Sequence, residues 1–257
     1  MSFNRYNLAE LRDGVKPFRL HFFPTLRSTN DHATELRRRG ALYAPAVVLT
    51  ARQTAGRGRR TNRWWSGAGG VTVTFVLPVE DHVAPHQLPL TAGLAVRDAC
   101  AELTGCAQVQ LKWPNDVLFE DRKLAGLLCE RVHNADLVGI GLNVNLPEER
   151  VPADLRDKVT SLDRIAGAPV DITRAVCTLA QHIHRTVARR GDRSFADLLL
   201  DYDAHHALRG RQVTITTGHP DDPPITGTCE GLDDTGQLKV RTRSGLKHVI
   251  AGHVVAR

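Results

Sequence analysis

The stretch VQLKWPNDVLFEDRKLAGLLCERVHNADLVGIGL, residues 109–142, decides the fold. Val109–Trp113 and Val117–Phe119 are short apolar runs on either side of Pro114, and Leu124–Val132 and Leu137–Leu142 follow as two more. Runs of this length bounded by turn residues are strands, and the last two read as neighbours in a hairpin. A sheet therefore lies at the centre of the molecule, and the rest of the chain is read outward from it.

Toward the N-terminus, Val71–Leu77 alternates as a strand, His86–Leu103 has helical spacing, and Ala46–Ala51 (AVVLTA) is a buried β-branched strand. Ser28-Thr29-Asn30 puts polar capping residues before the helix-forming DHATELRRR, and Gly40 ends that helix. Arg19–Phe23 reads as a strand, and Asn7–Arg12 as one or two helical turns in a short extension. Toward the C-terminus, Asp171–Arg189 and Phe195–His206 are helices with Asp171 and Ser194 as caps. From Leu208 the pattern changes. Arg211–Thr217, Ile225–Leu232, Gln237–Arg241 and Lys247–Ile250 are short strands separated by Gly218, Asp221–Pro224, Asp233–Gly236 and Ser244-Gly245, the pattern of a small β-barrel. The expected organisation is an extension at 1–18, an α+β catalytic-sized domain at 19–207 and a barrel at 208–257. The length between Gly218 and Pro224 reads as a loop variation.

Bulk properties narrow the function classes. The chain has 257 residues, 42% of them hydrophobic, enough for one substantial core. No segment approaches the roughly 18 uninterrupted apolar residues of a membrane span, and the N-terminus lacks a signal-peptide apolar region. A cytoplasmic protein with no membrane partner is expected. Five cysteines, none in a C-x-x-C pair, argue against a disulfide framework or a zinc site. His182 and His184 are two apart and His205-His206 are adjacent, so neither pair suits a metal on a helix face. The net charge of +6 favours anionic partners. Only six residues are lysine, and two of them, Lys112 and Lys123, fall in the densest motif region.

Four motifs carry chemistry. Gly56-Arg57-Gly58-Arg59-Arg60 lies in the long loop 52–70, where glycines let backbone N–H groups approach an anion and guanidinium forks match phosphate or carboxylate. Lys112-Trp113-Pro114-Asn115-Asp116 places a cation and a carboxylate together at a sharp turn, and Asp116 suits Mg²⁺ shared with phosphate. Arg122-Lys123-Leu124-Ala125-Gly126 offers an ammonium at a strand start beside small residues. Gly139–Asn145 (GIGLNVN) leaves room for a ring and supplies an amide able to read an adenine edge. Each motif alone also fits a bland alternative: a solvated arginine loop, a surface ion pair, a plain buried strand.

Together, STN at 28–30, QTAGRGRR at 53–60 with Trp64 following, KWPNDV at 112–117, KLAGLLCE at 123–130 and GIGLNVN at 139–145 resemble the biotin–protein ligase family, from about residue 20 to the C-terminus. The resemblance implies a mixed sheet with flanking helices of the class II synthetase type and an SH3-like barrel. It implies an enzyme that uses ATP and Mg²⁺ to make biotinyl-5′-AMP and pyrophosphate, then passes biotin to a lysine of a biotin carboxyl carrier protein domain. It places Ser28, Thr29, Asn30 and Gln53 at the biotin ureido end, and Arg57, Gly58 and Arg59 in a loop closing over biotin and adenylate. Lys123 falls near the biotin carboxylate and the transferred phosphate, with Arg59 as its catalytic companion. Trp64 and Asn143 flank the adenine, Arg57 and Lys112 sit by the phosphates, and Asp116 is the metal partner. Some relatives carry an N-terminal DNA-binding domain; the short leading segment here implies no DNA partner. Edge pairing of the central sheet offers a route to a homodimer. Lipoate–protein ligases are the nearest enzyme alternative, a nucleic-acid-binding module the nearest non-enzyme one, and a degenerate ligase kept for interaction a third.

Overall fold

The computed structural model describes residues 6–80, 83–188, 194–217 and 222–256. Its centre is a seven-stranded sheet. In chain order the strands are β1 (Arg19–Leu26), β2 (Ala46–Gln53), β3 (Gly70–Pro78), β4 (Gln110–Lys112), β5 (Asp116–Phe119), β6 (Arg122–Val132) and β7 (Ala135–Asn143). They lie in the order β1-β2-β3-β7-β6-β5-β4. Only β1 and β2 are parallel and the other pairs are antiparallel, so the sheet is mixed. The hairpin read from residues 124–142 is the β6–β7 pair.

Period-two alternation decides which face each side chain covers. In β2, Val47 and Leu49 enter the main core, while Ala46 and Val48 enter a smaller cluster with Ala33, Leu42, Val76 and Leu137. Helix α2 (Thr29–Arg38) covers the smaller cluster, with Ser28 as its N-cap: the Asp31 N–H donates to Ser28 Oγ at 3.3 Å. Gly40, at φ +66°, turns the chain away after it. The main core is covered by α3 (Leu88–Thr104), α5 (Ile172–Ile183) and α6 (Phe195–Ala204). Asp171 caps α5, and Ser194 with Asp197 forms a capping box on α6. Helix α5 continues into a π-helical turn at His184–Ala188, and the sequence-predicted end at Arg189 lies outside the described residues.

Besides small shifts at element ends, such as β1 running on from Phe23 to Leu26, the structure departs from the sequence reading as follows. The N-terminal extension is part of the main core: α1 (Leu8–Gly14) buries Leu11, and Val15 and Phe18 follow it inside, Phe18 meeting the edge of Phe75 at 5.1 Å. A short helix α4 (Leu162–Ala166) and a 3₁₀ turn at Glu148–Arg150 lie in a region the pattern left blank, both too short for a periodic signal. Strand β2 runs on to Gln53, so the long loop shortens to 54–69. The C-terminal sheet has a fifth strand. It comprises β8 (Gln212–Thr216), β9 (Ile225–Leu232), β10 (Leu238–Thr242), β11 (Gly245–Val249) and β12 (His253–Ala256), in the order β11-β10-β9-β8-β12. The four residues of β12 gave no separate signal. Part of the predicted loop variation after Gly218 lies outside the described residues.

The barrel is fused to the larger body. Val213, Ile215, Cys229, Leu238 and Val240 belong to the same core as the helices. The connector is tied to the sheet edge: Leu111 N–H donates to His205 O at 2.8 Å and Ala207 N–H to Leu111 O at 2.9 Å.

Candidate functional site

A cleft opens where the free ends of β5, β6 and β7, the N-terminus of α2, the 54–69 loop and the β11–β12 turn converge. Its floor is a pair of facing glycines, Gly126 on β6 and Gly141 on β7. With no Cβ there, the indole of Trp64 lies directly on the sheet. A methyl group at Gly141 would stand 2.1 Å from Trp64 Cε2, and one at Gly126 3.1 Å from Trp64 Cζ3. The remaining cavity is about 190 Å³, below the roughly 300–1,000 Å³ usual for ligand pockets. The indole fills part of it.

One end is polar and neutral. Thr29 N–H donates to Gln53 Oε1 at 2.9 Å, and Gln53 Nε2 donates to Ser66 Oγ at 3.2 Å. Asn30 Nδ2 donates to Leu128 O at 3.0 Å and to Glu130 Oε2 at 2.8 Å. Its Oδ1 lies 2.6 Å from Thr74 Oγ1, which is also 2.8 Å from Thr29 Oγ1. Gly139 makes room for this amide, since a Cβ there would fall 2.1 Å from Asn30 Oδ1.

The other end is cationic. Arg57, Arg59, Arg60, Arg63, Lys112 and Lys123 line the cleft, and Asp116 is the one carboxylate among the described lining residues. Lys123 Nζ sits 2.7 Å from Asp116 Oδ1 and 5.6 Å from the centre of the Trp64 ring. Lys112 faces Asp116 across the β4–β5 register. Burial, together with the nearby Lys123 and Arg211, pulls the Lys112 ammonium below its ordinary pKa against the upward pull of Asp116 and Asp121. Trp113 is structural: it is buried, and its indole N–H donates to Gly236 O of the barrel at 3.2 Å. The Trp113–Pro114 peptide is cis, and Asn115 beyond it is held by Leu127 through two bonds, Nδ2 to Leu127 O at 2.7 Å and Leu127 N–H to Asn115 O at 2.9 Å.

The arginine segment is a hairpin. Gly58 N–H donates to Asn62 O at 2.8 Å and Trp64 N–H to Gly56 O at 3.0 Å, with an antiparallel bridge between Arg57 and Arg63. A Cβ at Gly56 would meet Trp64 O at 2.4 Å, which is why glycine stands there. Arg57 reaches back to α2 and β6, pairing with Asp31 at 2.5 Å and with Glu130 Oε1 at 2.9 Å. Arg59 donates to Asn115 Oδ1 and to Gly252 O, both at 3.3 Å, and Arg60 to Thr217 O. The hairpin thus bridges the larger body and the barrel.

Of the residues singled out in the sequence, Ser28, Thr29, Asn30, Gln53, Arg57, Gly58, Arg59, Trp64, Lys112, Asp116 and Lys123 all line this one cleft. Asn143 does not. It is buried, and its Nδ2 donates to Thr160 O at 3.0 Å and Lys123 O at 3.2 Å, fixing the strand that carries Lys123. Sequence reasoning missed Thr74, Glu130 and Asn115, which orient site residues, and Gly252, His253 and Val254, by which the barrel lines the cleft. The small residues singled out at Gly126 and at Gly139–Gly141 were the advance sign of the floor. Among the described residues no group of three or more His, Cys, Asp or Glu side chains is placed to hold a metal.

Known proteins resemble this chain in sequence and in fold. Residues 22–146 match the Biotin/lipoate A/B protein ligase family, and residues 209–257 match the Biotin protein ligase C terminal domain. The bifunctional ligase/repressor BirA of Bacillus subtilis is 31% identical over 96% of this chain and 78% of its own length. The biotin–acetyl-CoA-carboxylase ligase of Paracoccus denitrificans is 32% identical over 89% of this chain and 97% of its own. The structure of the Aquifex aeolicus biotin protein ligase in complex with biotin and ATP superposes with a TM-score of 0.82 at 29% identity, covering 93% of this chain and 98% of that one.

Proposed function

The chain belongs to the biotin–protein ligase family, and from that premise we propose that it joins biotin to ATP as biotinyl-5′-AMP, releasing pyrophosphate, and then transfers the biotin to a lysine of a biotin carboxyl carrier protein domain. The observation that carries this reading is the composition of one cleft: a hydrogen-bonding end at Thr29 and Gln53, a glycine floor, and six cations against one carboxylate among its described lining residues.

Attack of a carboxylate on the α-phosphorus brings two anions together, so positive charge must offset their repulsion and the charge that builds in the transition state. Lys123 takes that role for the biotin carboxylate and the transferred phosphate. Lys112 sits beside it, and burial makes its charge count for more than in water. Arg57 and Arg59 supply guanidinium forks from the hairpin. Ser28, Thr29, Asn30 and Gln53 receive the ureido end, with Gly58 giving backbone access. Trp64 leaves the glycine floor as the ligands enter and flanks the adenine, and Asn143 shapes that side by holding the Lys123 backbone. Hairpin closure over the mixed anhydride keeps water away from it until the acceptor lysine arrives.

Asp116 fits a magnesium site of the kind that is bound mainly through phosphate oxygens, since it is a single carboxylate inside a cationic cleft. When bound there, Mg²⁺ would neutralise triphosphate charge. The ATP requirement accords with work in the cytoplasm, and the outer edge of β1, which has β2 as its one neighbour, suits sheet pairing with a second copy.

Pyrophosphate release by the purified protein with MgATP tests the reading. Biotin should trigger it and lipoate should not, and a carrier domain should then become labelled. No biotin-dependent pyrophosphate would overturn the proposal.

A further inference from the structure

The neutral end of the cleft contains a hydrogen-bonded chain whose direction is fixed by a residue outside the cleft lining. Asn30 is the pivot. Its Nδ2 gives both protons to acceptors, Leu128 O at 3.0 Å and Glu130 Oε2 at 2.8 Å. Neither acceptor has a proton to give back, because one is a carbonyl and the other a carboxylate. The amide is therefore held with Oδ1 toward β3, where Thr74 Oγ1 stands 2.6 Å away. An amide oxygen only accepts, so the single Thr74 hydroxyl proton points at Asn30. Thr74 Oγ1 also lies 2.8 Å from Thr29 Oγ1, and with its own proton committed to Asn30 that contact is bonded only if Thr29 supplies the proton, in preference to its longer 3.4 Å contact with Gln53 Oε1. With that proton directed inward, Thr29 Oγ1 turns a lone pair to the cleft. Thr74 is fully buried, and Thr29 and Asn30 nearly so, which leaves water little chance to reset the sequence of donors.

We propose that Glu130 is a positioning residue that fixes the proton order Thr29 → Thr74 → Asn30 → Glu130, so that Thr29 meets the ligand as a hydrogen-bond acceptor. The group it selects is an N–H donor, and a cyclic urea has one on each side of its carbonyl. This rests on the reading of this end as the biotin ureido site. The same carboxylate holds Arg57 NH2 through Oε1 at 2.9 Å, so it touches both the ureido end and the hairpin. Its two possible roles must be separated by experiment.

Steady-state adenylation, followed by pyrophosphate release with biotin and MgATP varied in turn, separates them. The wild-type protein must first show biotin-dependent release; its absence would sink the ligase reading rather than this one. Glu130→Ala and Thr74→Val should each raise the KM for biotin about tenfold, the scale of one lost hydrogen bond, with the KM for ATP nearly unchanged. The double variant should be no worse than either single one, because both break the same chain. Glu130→Gln keeps an oxygen that accepts from Asn30 but loses the charge on Arg57, and should hold the biotin KM close to wild type. Multiplicative losses in the double variant, or a glutamine variant as poor as the alanine one, would overturn the proposal. Should Thr74→Val fail to fold, the alanine–glutamine comparison at Glu130 decides alone.

Discussion

The indole of Trp64 rests on the backbone of Gly141, so close that a single added methyl would reach within 2.1 Å of Cε2 and 2.4 Å of Cζ2. Gly141→Ala should therefore expel the ring from the floor without disturbing strand pairing. The expected result is a shift in tryptophan emission and a loss of adenylation of at least about tenfold, with the far-ultraviolet circular dichroism unchanged. Unaltered emission would show that the ring is not seated on this glycine in solution.

Lys123→Ala removes the ammonium 2.7 Å from Asp116 and leaves that half-buried carboxylate without its ion pair. Adenylation should fall by about 10²–10³-fold, the scale for loss of one preorganised charge at a transition state, while thermal unfolding stays cooperative. Near-normal pyrophosphate release in this variant would remove the assigned role of the lysine.

Lys112 makes stability depend on pH in a predictable direction. Burial holds its pKa below the ordinary 10.5, so the unfolded chain keeps this proton to higher pH than the fold does. The charged form destabilises the fold at neutral pH, and that cost is relieved as pH rises from the depressed folded value toward 10.5. Lys112→Met should be more resistant to urea than wild type at neutral pH, with the advantage shrinking as pH climbs into that window, and should be inactive throughout. A constant gap between the two midpoints would contradict the account.

Glu120 and Asp121, the two residues between paired Phe119 and Arg122, have φ of +51° and +60°. Two positive φ values make a hairpin turn that favours Asn or Gly. Asp121 also pairs with Arg211 of the barrel at 2.5 Å, whereas among the described residues no such pair ties Glu120 to the barrel. Glu120→Asn should stabilise the protein by about 0.5–1 kcal/mol, read as a raised denaturation midpoint at unchanged slope. No gain would mean that the turn conformation is not the strained one described.

Strands and helices were legible where an apolar run or a helical period runs long enough, as in β6, β7 and α3, and the caps Ser28, Asp171 and Ser194 stand where the sequence placed them. The convergence of eleven motif residues on one cleft was legible only through their resemblance to a family, since no local pattern links Thr29 to Lys123 across the sheet. What stayed hidden depends on distant chain segments meeting. Thr74 reads as an ordinary strand residue until α2 is laid over it, and Glu130 as a solvent-facing end of β6 until Asn30 and Arg57 arrive. The hairpin at 56–64 is held by main-chain bonds, to which side-chain patterns are blind. Asn143 fits the adenine reading by its chemistry, yet its amide is spent on the carbonyls of Lys123 and Thr160.

Arg59, Arg60 and Trp113 all reach the C-terminal sheet at main-chain oxygens, those of Gly252, Thr217 and Gly236. Such docking reads the path of the chain and ignores which amino acids follow it. A barrel transplanted from a distant ligase could therefore replace this one with most of its outer surface rewritten, provided its turns pass the same three points and it keeps Arg211 and the apolar side chains that enter the shared core.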